Sequence, residues 1–382
     1  MAAAGESSMP MPASHKRTWF HAVALSLICV TTSAASAQDA GPSAPAASDP
    51  AVLTVEVMPK AAESIVLDVV RTLSGYVAVG ERGHVLLSPN GVEWTQAAGV
   101  PTRATLNAVA AAGDSIWAGG HDGVILYSPD AGNTWQRQRI DVWSADGVEP
   151  SAGAPILDLL FLDKSHGFAV GAYSLLLETR DGGASWERRT LPPPPEQPQH
   201  AVAGDEHADP EAWTFNDEDL VLEAVADPHL NGIARTSAGE LMIAAERGAV
   251  FRSRDDGASW ERIALPYGGS MFGALAWDAG HVLMYGLQGR VFETRDLGDS
   301  WAEIDSGVRS SLMGGTTHPD GGAVLVGAQG AVLSRDRDGT ALVHRTFVNA
   351  NSETPILAGV LDHPEGGFVV YGERGVDRYR PQ

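Results

Sequence analysis

From residue 51 onward the apolar residues gather in short runs separated by glycine-bearing turns, the pattern of a chain made of many short β-strands. One stretch shows the unit. Leu106-Asn-Ala-Val109 reads as an inner strand and Ser115-Ile-Trp-Ala-Gly119 as a second. Gly120 to Gly123 then makes a tight turn, and Val124-Ile-Leu-Tyr127 is a third strand. A polar turn follows, and an outer strand starts at Trp135. Glycine supplies the positive φ that such turns need.

The polar turn recurs. Ser128-Pro-Asp130-Ala-Gly132-Asn-Thr-Trp135, Thr179-Arg-Asp181-Gly-Gly183-Ala-Ser-Trp186, Ser253-Arg-Asp255-Asp-Gly257-Ala-Ser-Trp260 and Thr294-Arg-Asp296-Leu-Gly298-Asp-Ser-Trp301 share the form S/T-x-D-x-G-x-x-W, the Asp box. Ser88-Pro-Asn90-Gly91-Val-Glu-Trp94 is a shortened copy. Each carboxylate is expected to accept backbone N–H bonds across its own turn. Each indole is expected to bury a large area against the neighbouring sheet, so that removing Trp186 or Trp260 should cost about 3–5 kcal/mol. These residues are read as structural.

A second constant element, G-x-x-G, lies before each box. Its copies start at Gly80, Gly120, Gly286, Gly327 and Gly372, with degenerate forms at Gly171 and Ala245. The steps between them are 40, 51, 74, 41, 41 and 45 residues. A period near 40 with four short strands per unit predicts an all-β, seven-bladed β-propeller over residues 51–380. The seventh repeat, Pro355 to Arg378, has neither box nor tryptophan. Ala51-Val-Leu-Thr-Val-Glu-Val-Met58 alternates as a strand should, and is expected to supply the missing outer strand and close the ring, so that its deletion would abolish cooperative unfolding.

In such a blade the G-x-x-G turn lies on the face of the blade-to-blade links, and the Asp box lies on the opposite face. Two long links share the first face: Asp141 to Ala154, and Pro192 to about Pro228, which opens on four prolines and continues with Asp205, Glu206, Asp209, Glu211, Asp217, Glu218 and Asp219. Long loops on a rigid scaffold are where recognition resides. Three turns there repeat one pair: Glu81-Arg82, Glu246-Arg247 and Glu373-Arg374. They make a candidate partner-binding ring, with guanidinium groups meeting carboxylates of a partner. The alternative is local pairing of each arginine with a nearby glutamate, worth little at a surface. His200 and His207, among Asp205, Glu206 and Asp209, match no defined metal spacing, and no metal or cofactor is expected.

The N-terminus reads as an export signal over residues 1–37: a basic flank His15-Lys16-Arg17, an apolar run Trp19 to Val30, and Ala35-Ser36-Ala37 before Gln38. The one cysteine, Cys29, lies inside it, and the bulky Ile28 before it argues against lipidation. Residues 38–50, rich in proline, alanine and serine, are expected to be a disordered leader. The net charge is −22, and one unit more negative once residues 1–37, with Lys16, Arg17 and Glu6, are set aside. That balance disfavours nucleic acid and anionic membrane surfaces as partners. A monomer, peripheral to a membrane at most, is expected.

Phe161-Leu-Asp-Lys-Ser-His-Gly-Phe-Ala-Val-Gly171, followed by the box at Thr179 to Trp186, resembles the lumenal photosystem II stability and assembly factor family and its relatives in non-photosynthetic bacteria. The likeness runs over most of residues 51–380 at the level of repeats. It implies a seven-bladed propeller, export to the periplasm or a thylakoid-like lumen, and binding of membrane-protein partners without catalysis. In a non-phototroph it implies an accessory role in an envelope complex such as a transport system. The chain departs from the family in its acidity, in the 192–228 insertion, and in Ser334-Arg-Asp336-Arg-Asp-Gly339, which has no tryptophan. The rival class is a glycoside hydrolase, because sialidases also carry Asp boxes. The early Arg-Ile-Pro motif that sialidases use is missing from this sequence, while a carboxylate pair facing a cleft stays open. A sortilin-like receptor is disfavoured by the lack of cysteine after residue 37.

Overall fold

A computed structural model describes residues 46–141, 152–194, 227–318, 320–337, 339 and 341–381. Seven antiparallel sheets follow one another along the chain, each built from one continuous stretch. Blade one is β1 (Val66–Arg71), β2 (Tyr76–Gly80), β3 (Val85–Ser88) and β4 (Thr95–Gln96); blade two is β5 (Leu106–Ala112), β6 (Ser115–Gly120), β7 (Ile125–Ser128) and β8 (Gln136–Arg139). Blade three is β9 (Ile156–Phe161), β10 (Gly167–Gly171), β11 (Leu175–Thr179) and β12 (Glu187–Arg188); blade four is β13 (Leu230–Arg235), β14 (Leu241–Ala245), β15 (Ala249–Ser253) and β16 (Glu261–Ala264). Blade five is β17 (Met271–Ala276), β18 (Val282–Gly286), β19 (Val291–Thr294) and β20 (Ala302–Ile304); blade six is β21 (Leu312–Thr317), β22 (Ala323–Gly327), β23 (Ala331–Arg335) and β24 (Val343–Thr346). Blade seven has three strands, β25 (Leu357–Asp362), β26 (Phe368–Gly372) and β27 (Gly375–Tyr379). The architecture is the seven-bladed β-propeller that the repeats specify.

The core lies between blades. Second strands are buried on both sides, as in Tyr76–Gly80 and Val282–Gly286, and each apolar cluster joins two neighbouring blades. The Asp boxes work as inter-blade plugs. In box two the Ser128 hydroxyl accepts the Gly132 N–H at 2.8 Å, and Asp130 accepts the Thr134 N–H at 2.8 Å and its hydroxyl at 2.7 Å. The same network, hydroxyl and backbone N–H of Ser185 and Ser300, draws the Asp181 and Asp296 carboxyls down to about 2. The plug glycines are buried and pack on the preceding blade: Gly132 on Val77 and Leu87, Gly257 on Phe168, Gly298 on Met242 and Ile263.

The box tryptophans are half-buried rather than fully buried. Trp186 meets Phe161 edge-on at 6.0 Å, and Trp260 meets Phe168 at 6.2 Å. Each residue keeps part of its surface in solvent, which lowers the expectation from sequence. Trp186→Ala is expected to cost about 2 kcal/mol in urea denaturation, the value for partial loss of an aromatic contact area.

The closure expected from Ala51 to Met58 is not what the structure shows. This segment forms no strand and does not join blade seven; it crosses the link between blades one and two. The Val55 N–H donates to the Val100 carbonyl at 2.8 Å, and the Arg103 side chain donates to the Thr54 carbonyl and pairs with Glu56 at 2.7 Å. Of its apolar residues only Ala51 and Val55 are buried, a spacing of four where strand alternation would give two. Just before it, Ala46 to Pro50 make a hydrogen-bonded turn whose Pro50 carbonyl accepts the Arg103 N–H.

Side chains at the 7/1 seam close the ring instead. Box one docks on blade seven, with Gly91 against Val369, and the His363 ring contacts the Asn90 carbonyl at 2.8 Å. On the axis, the Tyr371 hydroxyl donates to Asp68 at 3.1 Å. Every inner strand carries a bulge at the same place, between Val66 and Asp68 in blade one and between Met271 and Gly273 in blade five. The bulge turns the following residue inward. Asp68 accepts the Val109 N–H of blade two at 2.8 Å, and Asp158 accepts the Ile233 N–H of blade four at 2.8 Å. Asn107 and Asn231 donate to the Ile156 and Met271 carbonyls, so polar staples join the first five blades. Burial pushes Asp68 up to about 6 and Asp158 up to about 7, against the pull of these N–H donors.

Candidate binding face

The G-x-x-G turns build one face. In each, the N–H of the residue after the first position donates to the carbonyl of the residue just before an inner strand: Glu81 to Ile65, Glu246 to His229, Leu287 to Ser270, Glu373 to Ile356. The next residue sits in the left-handed region in several turns, with φ of 56° at Arg82 and 57° at Arg247. A left-handed backbone at a long side chain is sparsely populated.

The structure places the six candidate residues on this face and divides their roles. Two of the glutamates accept backbone N–H groups at the start of an inner strand. Glu246 accepts the His229 N–H at 3.3 Å, Glu373 accepts the Ile356 N–H at 3.3 Å, and Glu81 is partly buried beside His84. Arg82, Arg247 and Arg374 are exposed. Arg374 binds Glu353 of the blade six–seven link through Nε at 3.2 Å and Nη2 at 3.3 Å, a cross-link partner and not the adjacent Glu373. Arg374 and Glu353 border a cavity of 290 Å³ with Asn349, Ile356 and Gly375.

What the sequence reading missed is apolar. Of the eleven large hydrophobic side chains exposed among the described residues, Ile65, Tyr173, Leu287, Met313, Val348 and Ile356 lie on this face, in turns, links or the start of an inner strand. Ile65 and Ile356 hold the same position in adjacent blades one and seven, each bound by backbone to a Glu-Arg turn. The signal was present in the sequence as apolar residues at turn and link positions, which a count of strand residues passes over. Exposed apolar side chains gathered on one face, where they form a patch, mark interaction surfaces.

Both long links leave from this face at Asp141 and Pro194, and their bodies, with His200, His207, Asp205, Glu206 and Asp209, lie outside the described residues. Among the described residues no group of three His, Cys, Asp or Glu side chains could hold a metal ion, and no helix is long and apolar enough to cross a membrane.

Comparison with known proteins agrees with this architecture. The family model for the photosynthesis system II assembly factor YCF48 matches residues 138–227. The photosystem II assembly lipoprotein Ycf48 of a Prochlorococcus marinus strain is 35% identical over 129 residues, 30% of this chain and 38% of the relative. The chain is similar to the photosystem II assembly factors over this part of its length. Ycf48 of Synechococcus sp. (strain CC9902) is 30% identical over 145 residues, 34% of this chain and 42% of that protein. The matches thus span about two-fifths of the Ycf48 relatives' length. Two solved YCF48 structures share the fold at a TM-score of 0.58: one bound to a D1 peptide, at 14% identity over 86% of this chain and 94% of that one, and one from Cyanidioschyzon merolae, at 16% identity over 86% and 98%. A WD40 propeller domain of Doa1 superposes equally well at 14% identity, so these superpositions speak for the fold alone. The Ycf48 relatives are named for assembly and not for catalysis, and several are lipoproteins.

Proposed function

We propose that this chain is an exported, non-enzymatic β-propeller that holds segments of membrane proteins against its G-x-x-G face during assembly or maintenance of a membrane complex. Residues 1–37 serve as the export signal and the propeller follows as a monomer in the periplasm or a lumen-like space. The observation that carries this reading is the gathering of Ile65, Leu287, Met313 and Ile356 with Arg82, Arg247 and Arg374 on one face. Apolar side chains give such a contact its energy, and guanidinium groups orient carboxylates of the bound segment. The assembly role of the Ycf48 relatives, and the D1 peptide bound by one YCF48, support a membrane-protein client. In a phototroph that client is a photosystem polypeptide; in another bacterium it is a subunit of an envelope complex.

The glycoside hydrolase alternative gains no support from the axial carboxylates. Asp68 and Asp158 use their oxygens on backbone N–H groups and on Tyr371.

The test is affinity capture of integral membrane proteins from solubilised membranes, with the mature chain as bait. A variant with Ile65→Ser, Met313→Ser and Ile356→Ser, and another with alanine at Arg82, Arg247 and Arg374, should each retain less than about a tenth of the captured polypeptide, a loss of about 1.4 kcal/mol or more. Undiminished capture by both variants, with unchanged melting, would refute the assignment to this face.

A further inference from the structure

Two carboxylates lie at the propeller axis with no cation beside them. Asp68 and Asp158 hold the same place on β1 and β9, just past the bulge and near the G-x-x-G end of the inner strand. Among the described residues no Lys, Arg or His pairs with either. An ionised carboxylate offers about four acceptor sites. Asp68 fills three of them with the Val69 and Val109 N–H groups and the Tyr371 hydroxyl. Asp158 fills two, with the Leu159 and Ile233 N–H groups. Acceptor sites are left over on both.

Tyr285 is the third group. It pairs with Gly273 on the inner strand of blade five, as Tyr371 pairs with Gly359 in blade seven. Each hydroxyl occupies the space that a Cβ on its glycine would need, 2.3 Å from that position for Tyr285 and 2.2 Å for Tyr371. Both rings thus reach over their inner strand towards the axis. Tyr371 finds Asp68 there. Tyr285 is 6% exposed, and its hydroxyl makes no hydrogen bond among the described residues. Burial first, and then the charges of Asp158 and Asp68, push its hydroxyl pKa up. A buried hydroxyl without a partner costs free energy that a bound group would restore. One step closer to the G-x-x-G face, the residues at the bulges include Leu67, Leu157, Phe272 and Met313, none of them fully buried.

We infer that this axial site takes the ammonium group of a lysine on the polypeptide held by the G-x-x-G face, which rests on the docking role proposed above. The ammonium brings three N–H donors and a positive charge to Asp68, Asp158 and the Tyr285 oxygen, and its alkyl stem passes the apolar bulge residues. A calcium or magnesium ion suits the site less well. Such ions take about six or more oxygen ligands at short range, and among the described residues no third acidic or histidine side chain joins the pair in a metal-holding group.

The first probe is n-butylammonium chloride, which carries the stem and head of lysine. It is added to the protein at about pH 8 and read as a rise in melting temperature over equal sodium chloride. A saturable rise is expected, with half-saturation on the order of 1–10 mM. Asp158→Asn should lose it, and Tyr285→Phe should weaken binding about tenfold, the loss of one hydrogen bond to a charged group. At about pH 5, where both carboxyls hold protons, the rise should vanish. The second probe is the set of solubilised membrane proteins with their lysines acetylated, which removes the charge. Acetylation should cut their capture by the parent about tenfold, while Asp158→Asn should capture treated and untreated proteins alike. Capture without an amine response refutes the axial site and leaves the docking face standing; an amine response without capture does the reverse. No saturable rise in the parent, an equal rise from potassium or calcium chloride, or capture indifferent to acetylation would overturn the inference.

Discussion

Trp117→Ala should destabilise the protein by about 4–5 kcal/mol, the upper part of the range for truncating a buried aromatic side chain. Among the described residues, Trp117 is the largest side chain with no solvent exposure. It belongs to β6 of blade two and reaches into blade three, where it stacks on Phe161 at 3.6 Å with the planes 11° apart. Its indole N–H donates to the Gly182 carbonyl at 2.9 Å, so one residue joins a strand, the neighbouring inner strand and the neighbouring Asp box. The Gly182 carbonyl keeps a second donor, Gln138 at 2.8 Å, so the cost is mostly lost packing. Urea denaturation checks it, with Trp186→Ala as the internal standard at about 2 kcal/mol. A loss at Trp117 no larger than the loss at Trp186 would contradict the account of burial given above.

The second large effect is a pH dependence. The Asp158 carboxyl is raised to about 7 by burial, with the charge of Asp68 adding to it, and Asp68 itself is raised to about 6. A carboxyl raised in the folded state holds its proton more tightly there than in the unfolded chain. Its contribution to stability is complete below the unfolded value near 4, and it is lost as pH rises through the folded value. For Asp158 the window runs from about pH 4 to pH 7, and for Asp68 it ends one unit lower. Glu293, drawn down to about 2 by His281 and Arg335, acts in the other direction, since its contribution falls only below the ordinary carboxylate range. Asp158→Asn removes the larger window. The variant should gain on the parent by on the order of 3 kcal/mol between pH 5 and pH 8, read from paired urea curves. Parallel curves for the two proteins would show that Asp158 carries no raised proton.

Much of the ring was legible because it rests on local rules. A box glycine at positive φ, such as Gly257 at 88°, and an aspartate bonded within its own turn are written in eight consecutive residues. The Glu-Arg turns were legible for the same reason, as was the face they occupy. The axial staples were not. Asp158 meets Ile233 across 75 residues, and Tyr371 meets Asp68 across 303, with the bulges that aim these carboxylates spelled by no motif. The alternation Leu53-Thr-Val-Glu-Val57 was a true pattern with another use, since which strand edge a segment meets depends on where the chain before it leads. Arg374 likewise found Glu353 in a link whose path the repeat does not specify.

Because, among the described residues, no segment near either end lends a strand to another blade, every sheet is complete once its own stretch of about forty residues is present. Strand pairing is then local in sequence throughout, the condition under which pairing is fast and long loops need not close first. A chain threaded out of a membrane from its N-terminus can add blades in order, each new Asp box docking on a blade already built, with the seam between Asn90 and His363 as the last contact to form. The same independence predicts that order along the chain matters less than neighbourhood in the ring: moving the ends to another junction would leave all seven sheets intact.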